Sequence, residues 1–256
     1  MRALSLLLAV LVLGPLSLIS GATPYTVTHI TVHMFLNPDT SAHVNETIQL
    51  SIGNQSVQQY QTNRVALNLT LSQWQQLAGT QVTEHILNPK NGNYNFDLLT
   101  GPVTEVGYNT YAADLVLSYD VNNVSTVNQT SPRVFVYTLR SNVFNFQHGA
   151  SGEVLSPNTT LNITVPQGSR IKSVSPIPDA PAYGITNNYA NVTTVTWYRG
   201  EPLSAFSLVF VVNQSLRDEV LAFFTGVYKT LGIYAYVLIA AVILLFVLYV
   251  YYRASK

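Results

Sequence analysis

The sequence predicts an all-β ectodomain, an antiparallel β-sandwich of one large or two small sheet units with one or two short helices, followed by a C-terminal transmembrane helix. Three observations lead there. Residues 25–36 and 42–52 alternate apolar and polar side chains with period two, the pattern of half-buried strands. Further runs rich in Val, Ile, Thr and Tyr recur between clusters of Pro, Gly and Asn. Near the end, residues 231–252 form an uncharged, mostly apolar stretch.

The chain opens with Arg2, an apolar run to Leu13 and a Gly14-Pro15 break, with Ser20 and Ala22 as the −3 and −1 residues of a cleavage site. Residues 1–22 therefore read as a signal peptide, whose apolar run is too short to span a bilayer. Residues 23–213 follow as the ectodomain, with a possible subdivision near 148.

Its first two runs, YTVTHITVHMFL and AHVNETIQLSI, are joined by the turn formers NPDTS and predict an antiparallel hairpin. Pairing Leu36 with Ala42 sets Met34 against Val44, Val32 against Glu46 and Ile30 against Ile48. That register keeps one face apolar, and a slip of one residue would mix the faces. Asn45 then points outward. Glu46 points inward, where an unpaired carboxylate would be costly, so it should reach solvent at a sheet rim or pair with Arg64, Arg133 or Arg140.

One or two short helices are expected between Ser56 and Gly79, with Ser72 as an N-cap, Trp74, Leu77 and Ala78 on one face, and Gly79 as the stop. Strands are expected near 81–87, 111–121, 133–146, 152–155, 158–165, 170–175, 192–197 and 204–212. Residues 214–230 then predict a juxtamembrane helix. Ser215 and Asp218 resemble a capping box, Leu216, Val220, Phe223, Phe224 and Val227 form a stripe, and Gly226 is a possible hinge.

Residues 231–252 would make a helix about 33 Å long at about 1.5 Å per residue, enough to cross a bilayer. Tyrosines flank both ends of the run, as interfacial belts require, and the tail 253–256 carries Arg253 and Lys256 without an acid. These residues orient the ectodomain outside and the C-terminus in the cytoplasm.

Composition narrows the partners. Between Thr23 and Thr230 lie all 12 acidic residues and nine of the 12 basic ones, a formal charge of −3 with no basic run, so nucleic acid is not an expected partner. The absence of cysteine leaves core burial and sheet hydrogen bonding to hold the ectodomain. Nine sequons occur, at Asn45, Asn54, Asn68, Asn123, Asn128, Asn158, Asn162, Asn191 and Asn213. Chance would give about four, and the excess points to glycosylation of a surface that carries few charges.

Chemistry is sparse at this level. No nucleophile elbow, HExxH, SxxK, P-loop or GxGxxG pattern occurs. His29, His33 and His43 fall on the outward face of the predicted hairpin, His85 beside Glu84 in an expected strand, and His148 in a turn; all five read as surface histidines. Glu46, Asp114 and Asp120 would need a second acid about 5–9.5 Å away to act as a glycosidase pair. No catalytic, cofactor or metal residues are assigned.

The stretches GEVLSPNTTLNITVPQGSRIKSVSPIPDAP and VTWYRGEPLSAFSLVF resemble the final third of certain archaeal single-pass membrane-anchored surface proteins of unknown function, and NPDTSAHVNETIQLSI resembles their N-terminal strand pair. The resemblance covers under half the chain and implies an all-β ectodomain without a known activity. The expectation is thus a membrane-anchored, N-glycosylated cell-surface protein of structural or protein-interaction role, without cofactor. It would be held by the bilayer through 231–252, with an envelope protein or a second copy as partner. Alternatives are an extracellular sugar- or peptide-binding module and a hydrolase using paired carboxylates.

Overall fold

The computed structural model describes residues 23–66, 69–88, 90–149, 152–180, 189, 192–198, 200–203, 205–232 and 234–254. The expected signal peptide lies outside them. The two alternating runs form β1 (Tyr25–Leu36) and β2 (Ala42–Gly53), paired antiparallel with Val32 opposite Glu46 and Leu36 opposite Ala42. A register shift between Val27 and His29 lets Tyr25 and Val27 share the buried side with Ile30 and Val32.

After a short 3-10 turn come α1 (Val57–Val65) and α2 (Leu71–Ala78). Helix α2 is capped by Thr70, not Ser72: Thr70 and Gln73 satisfy each other's backbone N–H groups in a capping box, and Gly79 ends the helix at φ 97°. The remaining strands are β3 (Tyr94–Thr100), β4 (Thr104–Gly107), β5 (Thr110–Val121), β6 (Ser125–Ser131), β7 (Val134–Leu139), β8 (Gln147–Gly149), β9 (Gly152–Val154), β10 (Thr159–Thr164), β11 (Ser169–Ser175), β12 (Thr194–Trp197) and β13 (Ser207–Asn213).

They build a seven-stranded sheet in the order β12-β10-β1-β2-β5-β3, with β4 also on β5, a four-stranded sheet β11-β13-β7-β6 and a β8-β9 hairpin. The larger sheet is mixed, because β1 pairs β10 in parallel, with Val32 opposite Leu161. The wholly antiparallel expectation fails at this pair. A parallel partner is reached by a long crossover, and residue alternation carries no sign of strand direction.

Two further expectations need correction, and β3, β4 and β6 form where no strand was expected. Residues 81–87 form no strand; Ile86 makes an isolated bridge to Phe144. The run 133–146 stops as a strand at Leu139, where a 3-10 turn at Ser141–Val143 redirects it. Strands β3, β4 and β6 lie in segments too exposed on both faces to alternate: β4 and nearly all of β6 are exposed.

A continuous buried cluster takes side chains from both larger sheets, among them Ile48, Leu50, Leu115 and Leu161 from one and Leu139, Ile171, Leu208 and Phe210 from the other. Each such side chain contributes roughly 1.5–3 kcal/mol by leaving water.

At the C-terminal end, α3 (Leu216–Leu231) meets α4 (Tyr234–Ala254). The break falls at Gly232, not Gly226. Gly232 adopts φ 55° and its N–H donates to the Tyr228 carbonyl at 2.8 Å, a left-handed helix end that glycine adopts without strain, whereas Gly226 lies inside α3. Side chains are described for only part of α4. Counted on the described residues alone, no helix is long and apolar enough to cross a membrane. The α4 sequence itself, YAYVLIAAVILLFVLYVYYRA, carries no charge before Arg253.

Candidate functional site

Across the inner face of the large sheet, the register aligns Trp197, Leu161, Val32, Glu46, Leu117 and Leu98. Glu46 is the acid in this apolar row, and it is fully buried. It neither reaches solvent nor meets Arg64, Arg133 or Arg140. Its Oε2 lies 2.6 Å from His85 Nδ1, its Oε1 accepts the His85 backbone N–H at 2.7 Å, and the Tyr119 hydroxyl donates to Oε1. Tyr119 Oη in turn accepts the Ile86 N–H at 3.1 Å.

This geometry explains why an irregular segment can lie against the sheet. Residues 84–87 bond on one side to 143–145: the Asn145 N–H and side-chain amide reach the carbonyls of His85 and Glu84, and the Leu87 N–H reaches Val143. On the other side the N–H groups of His85 and Ile86 have no strand to pair with. Glu46 and Tyr119 take that place, and buried backbone donors need such acceptors.

The neighbouring charges shape the local electrostatics. Burial, and then the Glu46 carboxylate, push the Tyr119 hydroxyl well above the ordinary phenol range, so it stays a donor. Burial also raises the Glu84 carboxyl, with Glu46 adding to the shift.

The His85 ring stacks on Phe146, centroids 5.3 Å apart, and forms part of the wall of a cavity of about 320 Å³. Larger hollows lie beside Trp74 and Arg64, about 480 Å³, and beside His29 and Tyr198, about 650 Å³. Among these described cavities, the one at His85 has a buried imidazole in its wall, bonded behind to Glu46. His85 is therefore not a surface histidine. Its ring is buried because the segment that carries it is packed as a loop beneath the core, not paired as a strand.

A second histidine–carboxylate pair sits on the outward face of the same sheet. His43 Nδ1 is 2.7 Å from Asp120 Oδ1, and His43 Nε2 is 3.4 Å from Ser118 Oγ. The hydrogen bond from Asn95, then that from His43, hold Asp120 below the ordinary carboxylate range. The order acid, imidazole, hydroxyl is that of a nucleophilic triad. Ser118, however, is in the middle of β5, paired with Asn45 of β2 and Asp97 of β3. Ladder bonds on both sides occupy the backbone N–H groups that an oxyanion would need. The chain of contacts is a polar ladder across the strands. On the same face, His33 Nε2 meets Thr164 Oγ1 at 2.9 Å, its ring stacks on Phe35, and burial lowers its pKa.

The sequon asparagines are placed as follows. Asn45 and Asn162 are half-exposed on the outer face of the large sheet, each directly opposite His33, and Asn162 Oδ1 accepts from Thr196 at 2.7 Å. Asn54, Asn123, Asn128, Asn158 and Asn213 are exposed. Asn68 and Asn191 lie outside the described residues.

No family model and no curated protein matches the chain. Among solved structures it overlaps the folded domain of Mycobacterium tuberculosis LppM at 8% identity, 76% of this chain and 93% of that one, with a TM-score of 0.24. An M1 zinc metallopeptidase of Deinococcus radiodurans overlaps at 12% identity, 73% of this chain and 42% of that one, TM-score 0.26. The Danio rerio Fcho1 Mu homology domain with bound Eps15 peptide overlaps at 10% identity, 74% and 78%, TM-score 0.19. Overlaps this loose carry no inference about the fold or activity of this chain.

Proposed function

We propose that the chain is a membrane-anchored, N-glycosylated cell-surface protein, like the archaeal envelope proteins it resembles, whose ectodomain has a structural or protein-interaction role. One observation carries the reading: an uncharged helical sequence, Tyr234 to Tyr252, follows, after α3, a β-rich unit in which every described sequon asparagine is exposed or half-exposed. At about 1.5 Å per residue, α4 is roughly 32 Å long, matching a hydrocarbon core of about 30 Å. Arg253 then marks the cytoplasmic end.

In this reading the two sheets stack as a sandwich. The Tyr137 hydroxyl donates to the Pro38 carbonyl in the β1–β2 turn at 2.8 Å, the Val124 N–H reaches Thr40 at 2.9 Å, and Trp197 meets Phe206 edge-on at 5.1 Å. Helix α3 leaves Leu216, Val220, Phe223 and Phe224 exposed, a stripe free to meet lipid headgroups or protein.

Alkaline washing of cell membranes tests the anchor: the chain should stay in the pellet, and release into the supernatant would overturn it. Mass spectrometry of the sequon peptides should find glycan on several. Gentle solubilisation should yield the chain within a larger assembly; a strictly monomeric product would overturn the interaction role.

A further inference from the structure

We propose that the cavity beside His85 is a binding site for a neutral, hydroxyl-rich ligand, a saccharide ring, in which His85 Nε2 hydrogen-bonds a sugar hydroxyl. The site stands independently of the anchor. A chain washed off membranes could still bind sugar, and a firmly anchored one could fail to.

His85 is held in one orientation by its neighbours. Nδ1 is committed to Glu46 at 2.6 Å. That leaves Nε2 as the ring nitrogen open to a ligand. The His85 side chain is 8% exposed, and among the described residues no hydrogen bond reaches Nε2. The atom is also not among the fully enclosed unpartnered ones, which are Trp74 Nε1, Thr159 Oγ1 and Ser169 Oγ. A buried ring thus presents its second nitrogen to the cavity. The Glu46 bond and the Phe146 stack fix the ring's orientation, so little ordering is needed on binding.

The rest of the lining selects the ligand class. Hydroxyls come from Thr80, Thr83 and Ser156, and amides from Gln81, Asn145 and Gln147. These groups both donate and accept, as vicinal hydroxyls require, and among the described residues the lining contains no Lys, Arg, Asp or Glu to match an ionic ligand. A volume of about 320 Å³ is at the small end of ligand sites, roughly 300–1,000 Å³. The same chemistry is offered by a free saccharide and by a protein-linked glycan, and the exposed sequon Asn158 is two residues from Ser156.

The test uses the full-length chain in a detergent without sugar headgroups, titrated with the methyl glycosides of glucose, mannose, galactose and N-acetylglucosamine by saturation-transfer NMR. At least one should bind saturably and shift the His85 Nε2 resonance. The double variant Thr83→Val/Gln147→Ala should bind about tenfold more weakly with an unchanged melting temperature. Binding that appears only once Asn158→Gln removes a glycan makes the chain's own sugar the occupant, and binding in both forms makes it external; either supports the site. No saturable binding in either form, or equal affinity in the double variant, overturns it.

Discussion

At the scale of single residues, the fold turns on Glu46. A carboxylate in the middle of an apolar row is costly unless every partner is in place, and here three donors converge on it. Glu46→Ala strands the His85 N–H, the His85 ring and the Tyr119 hydroxyl together, and should cost about 3–5 kcal/mol by chemical denaturation. Glu46→Gln keeps one acceptor and turns an amide N–H toward a donor, for about 1–3 kcal/mol. Both losses should leave membrane association unchanged. The buried tyrosines add a pH dependence of known sign. Burial pushes the Tyr60 hydroxyl, which donates to the Gly101 carbonyl at 3.0 Å, from 10 up to about 12, and also raises Tyr119. A group whose folded pKa is raised gives stability that is complete below the unfolded pKa and is lost as pH rises through the folded one. Denaturation midpoints should therefore fall between pH 10 and 12. Tyr60→Phe should flatten that fall; a wild-type midpoint level across the window would contradict it.

At the scale of elements, the most local device is the cap of α2. Thr70→Ala removes the acceptor for the Gln73 N–H and half of the capping box, and should cost about 0.5–2 kcal/mol, measured as a lowered melting temperature. Elements of this kind are legible in sequence because their signals are local. The hairpin register from Ile30 to Ile48 followed from period-two alternation, and the direction of Glu46 with it, whereas the shift between Val27 and His29 did not. Its partner did not follow. His85 is 39 residues away on a segment without periodicity, and what fixes it is the pairing of 84–87 with 143–145, a contact that leaves no pattern in either stretch. Only Tyr119, on the inward parity of β5, hinted at a polar group beneath the sheet. The parallel β1–β10 pair was hidden for a similar reason: an apolar alternation serves a strand running either way, and only the tertiary crossover sets its direction. The Arg133–Glu219 pair at 2.6 Å, joining the β6–β7 turn to α3, is exposed at both partners and should contribute under about 1 kcal/mol.

At the scale of the whole molecule, the question left open by a possible break near 148 becomes one of cooperativity. The chain has two tryptophans, and the structure places them far apart in sequence but in one buried cluster. Trp74 packs with Tyr25 and Tyr60 under α1 and α2, at the start of the ectodomain. Trp197 ends β12, donates through Nε1 to the Pro176 carbonyl at 3.1 Å and meets Phe206, which leads into the smaller sheet. A cluster that runs without interruption between them should come apart in one step. Trp74→Phe and Trp197→Phe, each leaving a single reporter, should therefore give coincident fluorescence midpoints. Phe210→Ala, deep in the four-stranded sheet and fully buried, provides the stricter form of the test. It should cost about 3–5 kcal/mol and lower the Trp74 midpoint as much as the Trp197 midpoint. A Trp74 transition that stays in place while the Trp197 transition moves would mean that the two sheets fold as separate units despite their shared core.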